Sequence, residues 1–256
     1  MSIELEKRGA IALMTFNNPS RRNAMTPQMR RQMEERVLDV RDDPAIRVLV
    51  MTGAGDAFCA GGDITTFGQS SAVAMRDRLK QQHRVTTALH NLEKPVIAAV
   101  HGPAFGVGFS ISLLADVILA SDTARFCQSY SNMAIVPDGG GLYLLARVVG
   151  AQRAREMILL ADVVDAATAK SLGIVREVYP AEQLMAETMK LAERLANGPT
   201  RAYGLDKSML NRSWNMDLET FLELESVSEA YIMETEDHKE GIQAFLNKRK
   251  PVFKGM

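Results

Sequence analysis

Cysteine is nearly absent from this chain. Cys59 and Cys127 are the only two in 256 residues, too few for a disulfide framework and without the spacing of a metal-binding pair. They read as reduced, buried thiols of a cytosolic protein. The four histidines, His83, His90, His101 and His238, have no metal-ligand partner at useful spacing. No stretch approaches the ~18 consecutive apolar residues of a membrane-spanning helix. Glu4, Glu6, Lys7 and Arg8 stand where a signal peptide would need an apolar run. Neither sign of charge predominates, since 30 basic and 31 acidic residues leave a formal net charge of −1. That balance argues against general binding to nucleic acid or an anionic membrane, and leaves room for a local basic patch on one phosphate group.

What is present suits a globular chain able to bury a sizeable core: 46% apolar and 24% charged residues. Fifteen methionines fit adaptable core packing. Ile3–Glu6 and Ile11–Asn17 read as two strands joined at Arg8-Gly9. Thr26-Pro27 is a helix start, an N-cap followed by proline at N1, with Met29, Met33, Val37 and Val40 as the apolar face to about Arg41. Arg47–Thr52 is a buried strand, and Phe58-Cys59-Ala60-Gly61-Gly62-Asp63 a glycine turn behind it. A polar helix over about Ala72–Asn91 follows. Val117–Ala120 reads as a strand, Arg125-Phe126 as a short one, and Val175–Tyr179 as the last. Helices are expected over Leu142–Val149, Ala151–Leu160 and Ala166–Leu172. From Pro180 the chain reads as all helical: about Ala181–Ala196, Thr200–Asn211, Leu218–Glu234 and Lys239–Asn247, with Trp214 packed between the C-terminal helices.

The stretch Lys94–Asp116, KPVIAAVHGPAFGVGFSISLLAD, organises the rest. Val96–Val100 is a continuous apolar run suited to a strand buried on both faces. Gly102, Gly106 and Gly108 follow, and Phe109, Ile111, Leu113 and Leu114 then suit a short buried helix. A helix start leaves backbone N–H groups without partners, which makes such a turn a donor site for an oxygen gaining negative charge. Packing alone would also explain the glycines. A dinucleotide loop is excluded by spacing, because the order is G-x-x-x-G-x-G with Pro103 inside it, and no G-K-[ST] follows to make a phosphate loop.

FCAGGDI at 58–64, the 102–108 turn and VPDGGG at 136–141, together with RRNAM at 21–25 and EGIQAFLNKRKPVF at 240–253, resemble the crotonase superfamily, the enoyl-CoA hydratase/isomerase family, over the whole chain. The resemblance implies an α/β fold: a crotonase (ClpP-like) spiral of ββα units over residues 1–198, and a helical C-terminal region, 199–256, for oligomerisation and active-site cover. It implies an acyl-CoA thioester as substrate, with coenzyme A part of the substrate and no cofactor or metal. It also implies homotrimers, often paired as dimers of trimers. The backbone N–H groups of Gly62 and Val107 would donate to the thioester oxygen as an enolate forms; most relatives have glycine at the Val107 position. Ala24, Ala60, Asp63 and Ile64 would lie near the adenine of CoA, with Arg22 near its phosphates.

The same resemblance bears on the reaction. Hydratases of the family carry two glutamates where this chain has Ser110 and Tyr130. Holding and activating a water calls for carboxylates, and neither replacement is an ionised base near pH 7. Asp138 stands where some family isomerases keep their only catalytic carboxylate, so an enoyl-CoA isomerase with Asp138 as proton shuttle is the favoured expectation. Asp138 could instead cap a helix beginning at Gly139. Other readings are an enoyl-CoA hydratase, an aroyl-CoA dehalogenase-like enzyme using Asp138 and His83, and a catalytically silent acyl-CoA binder.

Overall fold

A computed structural model describes residues 1–66 and 71–256. In chain order the elements are β1 (Ser2–Arg8), β2 (Ile11–Asn17), α1 (Pro27–Asp42), β3 (Val48–Gly53), α2 (Ala72–His90), β4 (Val96–Val100), β5 (Pro103–Phe105) and α3 (Val107–Ser112). There follow β6 (Val117–Ser121), β7 (Arg125–Cys127), α4 (Gly141–Val149), α5 (Ala151–Leu160), β8 (Val164–Asp165), α6 (Ala166–Ser171) and β9 (Glu177–Tyr179). Four helices close the chain: α7 (Ala181–Ala196), α8 (Thr200–Ser213), α9 (Leu218–Met233) and α10 (Glu236–Leu246).

The apolar runs are continuous because the large sheet is covered on both sides. Its order is β1-β2-β3-β4-β6-β9, antiparallel at β1–β2 and parallel thereafter. Ile11, Leu13, Val48, Val50, Ile97, Ala99 and Leu119 face one side, where α7 covers them with Leu184, Ala192 and Ala196. The alternate residues, among them Met14, Phe16, Leu49, Met51, Ala98, Val100 and Ala120, join the main core with Met29, Met33 and Val37 of α1 and Val85 and Leu89 of α2. Met14, Met25, Met29, Met33 and Met51 are fully buried, as expected of methionines used for packing. Both cysteines are free and buried, and burial raises the Cys59 thiol to about 11, which leaves it a protonated, inert side chain.

Helix starts follow local chemistry. Thr26 Oγ1 accepts from Met29 N at 3.2 Å with Pro27 in the first turn. α10 begins three residues before the expected Lys239, because Thr235 caps it through His238 N at 3.1 Å. Trp214 does not pack between helices as expected; it is 68% exposed, with the Arg147 guanidinium 5.7 Å from its ring centroid. Among the described residues no helix is long and apolar enough to cross a membrane.

The main departure from the sequence reading lies after β4. The chain does not turn directly from β4 into a helix. It first contributes β5 to a second sheet, order β5-β7-β8, in which Ala104 stands opposite Phe126 and Phe126 opposite Val164. β7 falls at the short strand expected over Arg125-Phe126, whereas β5 and β8, three and two residues long, carry too little pattern to be read from sequence. The second sheet is what assembles the site.

Candidate active site

Cys59 forms an isolated parallel bridge with Ala104. Phe58 N donates to His101 O at 2.8 Å, Cys59 N to Pro103 O at 3.0 Å, and Phe105 N to Cys59 O at 2.9 Å. The turn at 58–63 therefore runs alongside β5, and two glycine turns separated by about forty residues of sequence lie side by side. Gly108 is needed for this approach, since a Cβ there would collide with the carbonyl oxygen of Cys59. Beyond β5, α3 opens with Gly106 as N-cap. Ser110 N takes Gly106 O, while the N–H groups of Gly62 and Val107 make no hydrogen bond among the described residues. Both residues line one cavity, together with Arg30, Gly61, Tyr130 and Asp138. Two unpartnered amides in one cavity can receive an oxygen that gains negative charge.

The loop 21–25 closes the other side of the 60–63 turn. Ala60 N donates to Arg22 O at 2.9 Å, Met25 N to Gly61 O at 2.8 Å, and Asp63 N to Met25 O at 3.1 Å. Asn23 is fully buried; its Nδ2 donates to Ala54 O at 2.9 Å and Ala57 O at 2.6 Å, and its Oδ1 accepts from Asn18 N at 2.8 Å. The asparagine of RRNAM is thus a clamp that satisfies three backbone groups, which explains its place in the motif. Ala24, Ala60, Asp63 and Ile64 are brought together, and Ile64 is 59% exposed at the rim of the cavity. The Asp63 carboxylate accepts from Thr65 Oγ1 at 2.7 Å and from Arg21 Nη1 at 3.3 Å. The Thr65 hydroxyl above all holds it below the usual carboxylate range. Arg21, not Arg22, makes that ion pair, and the Arg22 side chain is exposed.

Asp138 does not cap α4 with its side chain. The helix starts at Gly141 rather than Gly139, with Gly140 at the N-cap and no side-chain cap bond. Gly139 and Gly140 have φ of 64° and 84°, left-handed conformations that glycine adopts readily. They turn the chain so that Asp138 offers its backbone oxygen to Gly141 N at 3.1 Å. The carboxylate is left to the cavity, where Oδ1 accepts from Tyr130 Oη at 2.6 Å and Oδ2 makes no hydrogen bond among the described residues. Burial, reinforced by the Asp138 charge, pushes the Tyr130 hydroxyl far above its ordinary value, so Tyr130 remains a donor. Ser110, fully buried, gives its Oγ to Gly106 O at 3.3 Å.

Four residues lining the cavity lay outside the sequence reading, Arg30, Ser129, Met133 and Ile135, and Arg30 is the charged one. Arg30 is 2% exposed, its Nε donates to Gln82 Oε1 at 3.0 Å, and its buried Nη1 has no partner among the described residues. The signal was present: Arg30, Met33 and Val37 fall at i, i+3 and i+7, so a cation sits on the apolar stripe of α1. His83 is not brought to the site. It is exposed on α2 and lines a surface groove with Glu34, Arg84 and Thr87, while its neighbour Gln82 turns inward.

The fold matches known proteins. The enoyl-CoA hydratase/isomerase family model matches residues 6–256. A crotonyl-CoA hydratase of Syntrophomonas wolfei is 34% identical over 98% of this chain and 97% of its own length. A 1,2-epoxyphenylacetyl-CoA isomerase of Escherichia coli is 35% identical over 96% and 95%. Among solved structures, an enoyl-CoA hydratase/isomerase from Cupriavidus metallidurans superimposes with TM-score 0.93 at 37% identity, covering 99% of this chain and 96% of that one. The chain belongs to the enoyl-CoA hydratase/isomerase family, with the crotonase fold, and is an acyl-CoA-processing enzyme of that superfamily. The names of its relatives favour hydratase more often than isomerase, against the preference drawn from Ser110 and Tyr130.

Proposed function

We propose that this protein is an enoyl-CoA isomerase that moves a double bond between the β,γ and α,β positions. The observation that carries the reading is the single carboxylate that lines the donor cavity among the described residues: Asp138, hydrogen-bonded at Oδ1 and without a partner there at Oδ2. Oδ2 takes the proton from the α carbon, and the electron pair moves toward the thioester oxygen, where Gly62 and Val107 N–H stabilise the enolate. The enolate then re-forms the carbonyl as the β,γ double bond shifts to α,β and Oδ2 returns the proton to the γ carbon. Tyr130 fixes the carboxylate rotamer throughout. Ala24, Ala60 and exposed Ile64 form a flat apolar seat for the adenine at the rim, with Arg22 in solvent near the phosphates. Exposed Leu218, Leu222, Val227 and Tyr231 along α9 form the surface for self-assembly, as trimers or paired trimers.

The second reading is a hydratase, which the names of the relatives favour. Hydration would have to proceed with Asp138 as the sole carboxylate in the cavity. Incubation with 3-hexenoyl-CoA and with crotonyl-CoA, followed by NMR of the products, separates the two. Migration of the double bond without appreciable water addition supports the isomerase. Hydration of crotonyl-CoA at ordinary enzymatic rates would reject it.

A further inference from the structure

The cavity holds more positive charge than the proposed reaction needs. Arg30 is 2% exposed, and its one side-chain hydrogen bond among the described residues goes to a neutral amide, that of Gln82. Its Nη1 and the Nε2 of Gln82 are both buried without a partner among the described residues. Arginine stays protonated in proteins, and a buried cation is retained where a counter-charge and hydrogen-bond acceptors meet it. The carboxylate within electrostatic reach is Asp138, but Arg78 on α2 reaches it too, and Asp138 Oδ1 is already held by Tyr130. Arg78 also has Asp63, whereas among the described carboxylates Arg30 has Asp138 alone, and Asp138 becomes neutral whenever it carries the substrate proton. The phosphates of CoA do not resolve the imbalance, because Arg30 lies at the buried end of the cavity while exposed Ile64 marks its rim.

We infer that Arg30 is a specificity residue whose Nη1 binds a second carboxylate on the acyl chain, so that the substrates are CoA thioesters of short dicarboxylic acids. The chain is short because Arg30 and the donors at Gly62 and Val107 line one small cavity, which leaves room for only a few carbons between thioester carbonyl and distal carboxylate. Guanidinium and carboxylate match as a planar donor fork and a pair of acceptors. The Gln82 amide, whose Oε1 accepts from Arg30 Nε, holds the guanidinium in place.

This rests on the reading that the cavity receives the acyl group, and it is tested without turnover. Calorimetric dissociation constants are measured for saturated pairs that differ only at the distal end: succinyl- and butyryl-CoA, glutaryl- and pentanoyl-CoA, adipyl- and hexanoyl-CoA. In at least one pair the diacid thioester is expected to bind about 10- to 150-fold tighter, the range of a hydrogen-bonded charged pair. Arg30→Met, with folding checked by circular dichroism, abolishes that preference, and Arg30→Lys keeps part of it. Arg30→Gln replaces Arg30→Met should the latter not fold. Equal affinities within every pair for the parent protein, or a preference that survives loss of the charge, would overturn the assignment. A diacid preference with no double-bond migration would leave this inference standing and remove the isomerase; migration with no preference would do the reverse.

Discussion

Tyr130→Phe isolates one atom, the hydroxyl that donates to Asp138 Oδ1. The bond is 2.6 Å long, its donor is 5% exposed, and its acceptor is a carboxylate. Such charge-assisted bonds are short and strong and contribute about 1.5–3 kcal/mol. If all of that serves to hold Oδ2 toward the α carbon, kcat falls roughly 10- to 150-fold. KM should move little, since the hydroxyl touches neither donor amide. The ring remains, so the core around it is kept. The assay is steady-state isomerisation of a 3-enoyl-CoA, made into a double-mutant cycle with Asp138→Asn. Because Tyr130 acts through Asp138, adding Tyr130→Phe to Asp138→Asn should cost no more than about twofold further. A parent-like kcat for Tyr130→Phe, or the full separate loss in both backgrounds, would refute the positioning role.

Two further outcomes are expected. Gly62→Pro deletes one of the two donor hydrogens and should lower kcat by about 10²–10³, as for other single oxyanion donors, with circular dichroism confirming the fold; an unchanged kcat in a folded variant removes Gly62 from the site. His101, whose Nε2 lies 3.1 Å from Gly55 O, is held below its ordinary value of 6.5, chiefly by burial. Its neutral form is favoured on folding, so its contribution is present above pH 6.5 and is lost as pH falls toward the depressed folded value. The thermal midpoint should drop as pH falls below about 6.5, less steeply in His101→Gln, and an equal slope in the variant would contradict this.

The legible parts of the molecule were those where one physical rule acts along a long stretch. Val96–Val100 could be read as a doubly buried strand because nothing polar interrupts it, and α1 because Thr26-Pro27 opens a stripe carrying Met29, Met33, Val37 and Val40. The glycine turns stood out because glycine there relieves a contact that any side chain would create, as Gly108 does against Cys59 O. β5 and β8 were hidden because strands of two or three residues depend on neighbours far along the chain. The start of α10 was missed because Thr235-Glu236-Asp237-His238 makes a cap without any apolar period. Asp138 was ambiguous for a related reason. An aspartate before three glycines is equally a cap or a free carboxylate until φ at Gly139 and Gly140 decides where the helix begins. Asn23 and Arg30 have roles that rest on partners tens of residues away, at Ala54, Ala57 and Gln82, which no local pattern announces.

The central claim is that Asp138 carries the proton, and Asp138→Asn tests it most directly. Asparagine keeps the shape, cannot act as a base, and leaves α4 untouched because the side chain does not cap it. The measurement is the rate of double-bond migration in a 3-enoyl-CoA, followed by NMR, for parent and variant, beside thermal midpoints and CoA-thioester affinity. The account predicts a loss of at least about 10²-fold in rate with affinity retained and stability equal or higher. A folded Asp138→Asn protein that isomerises at the parent rate would contradict it.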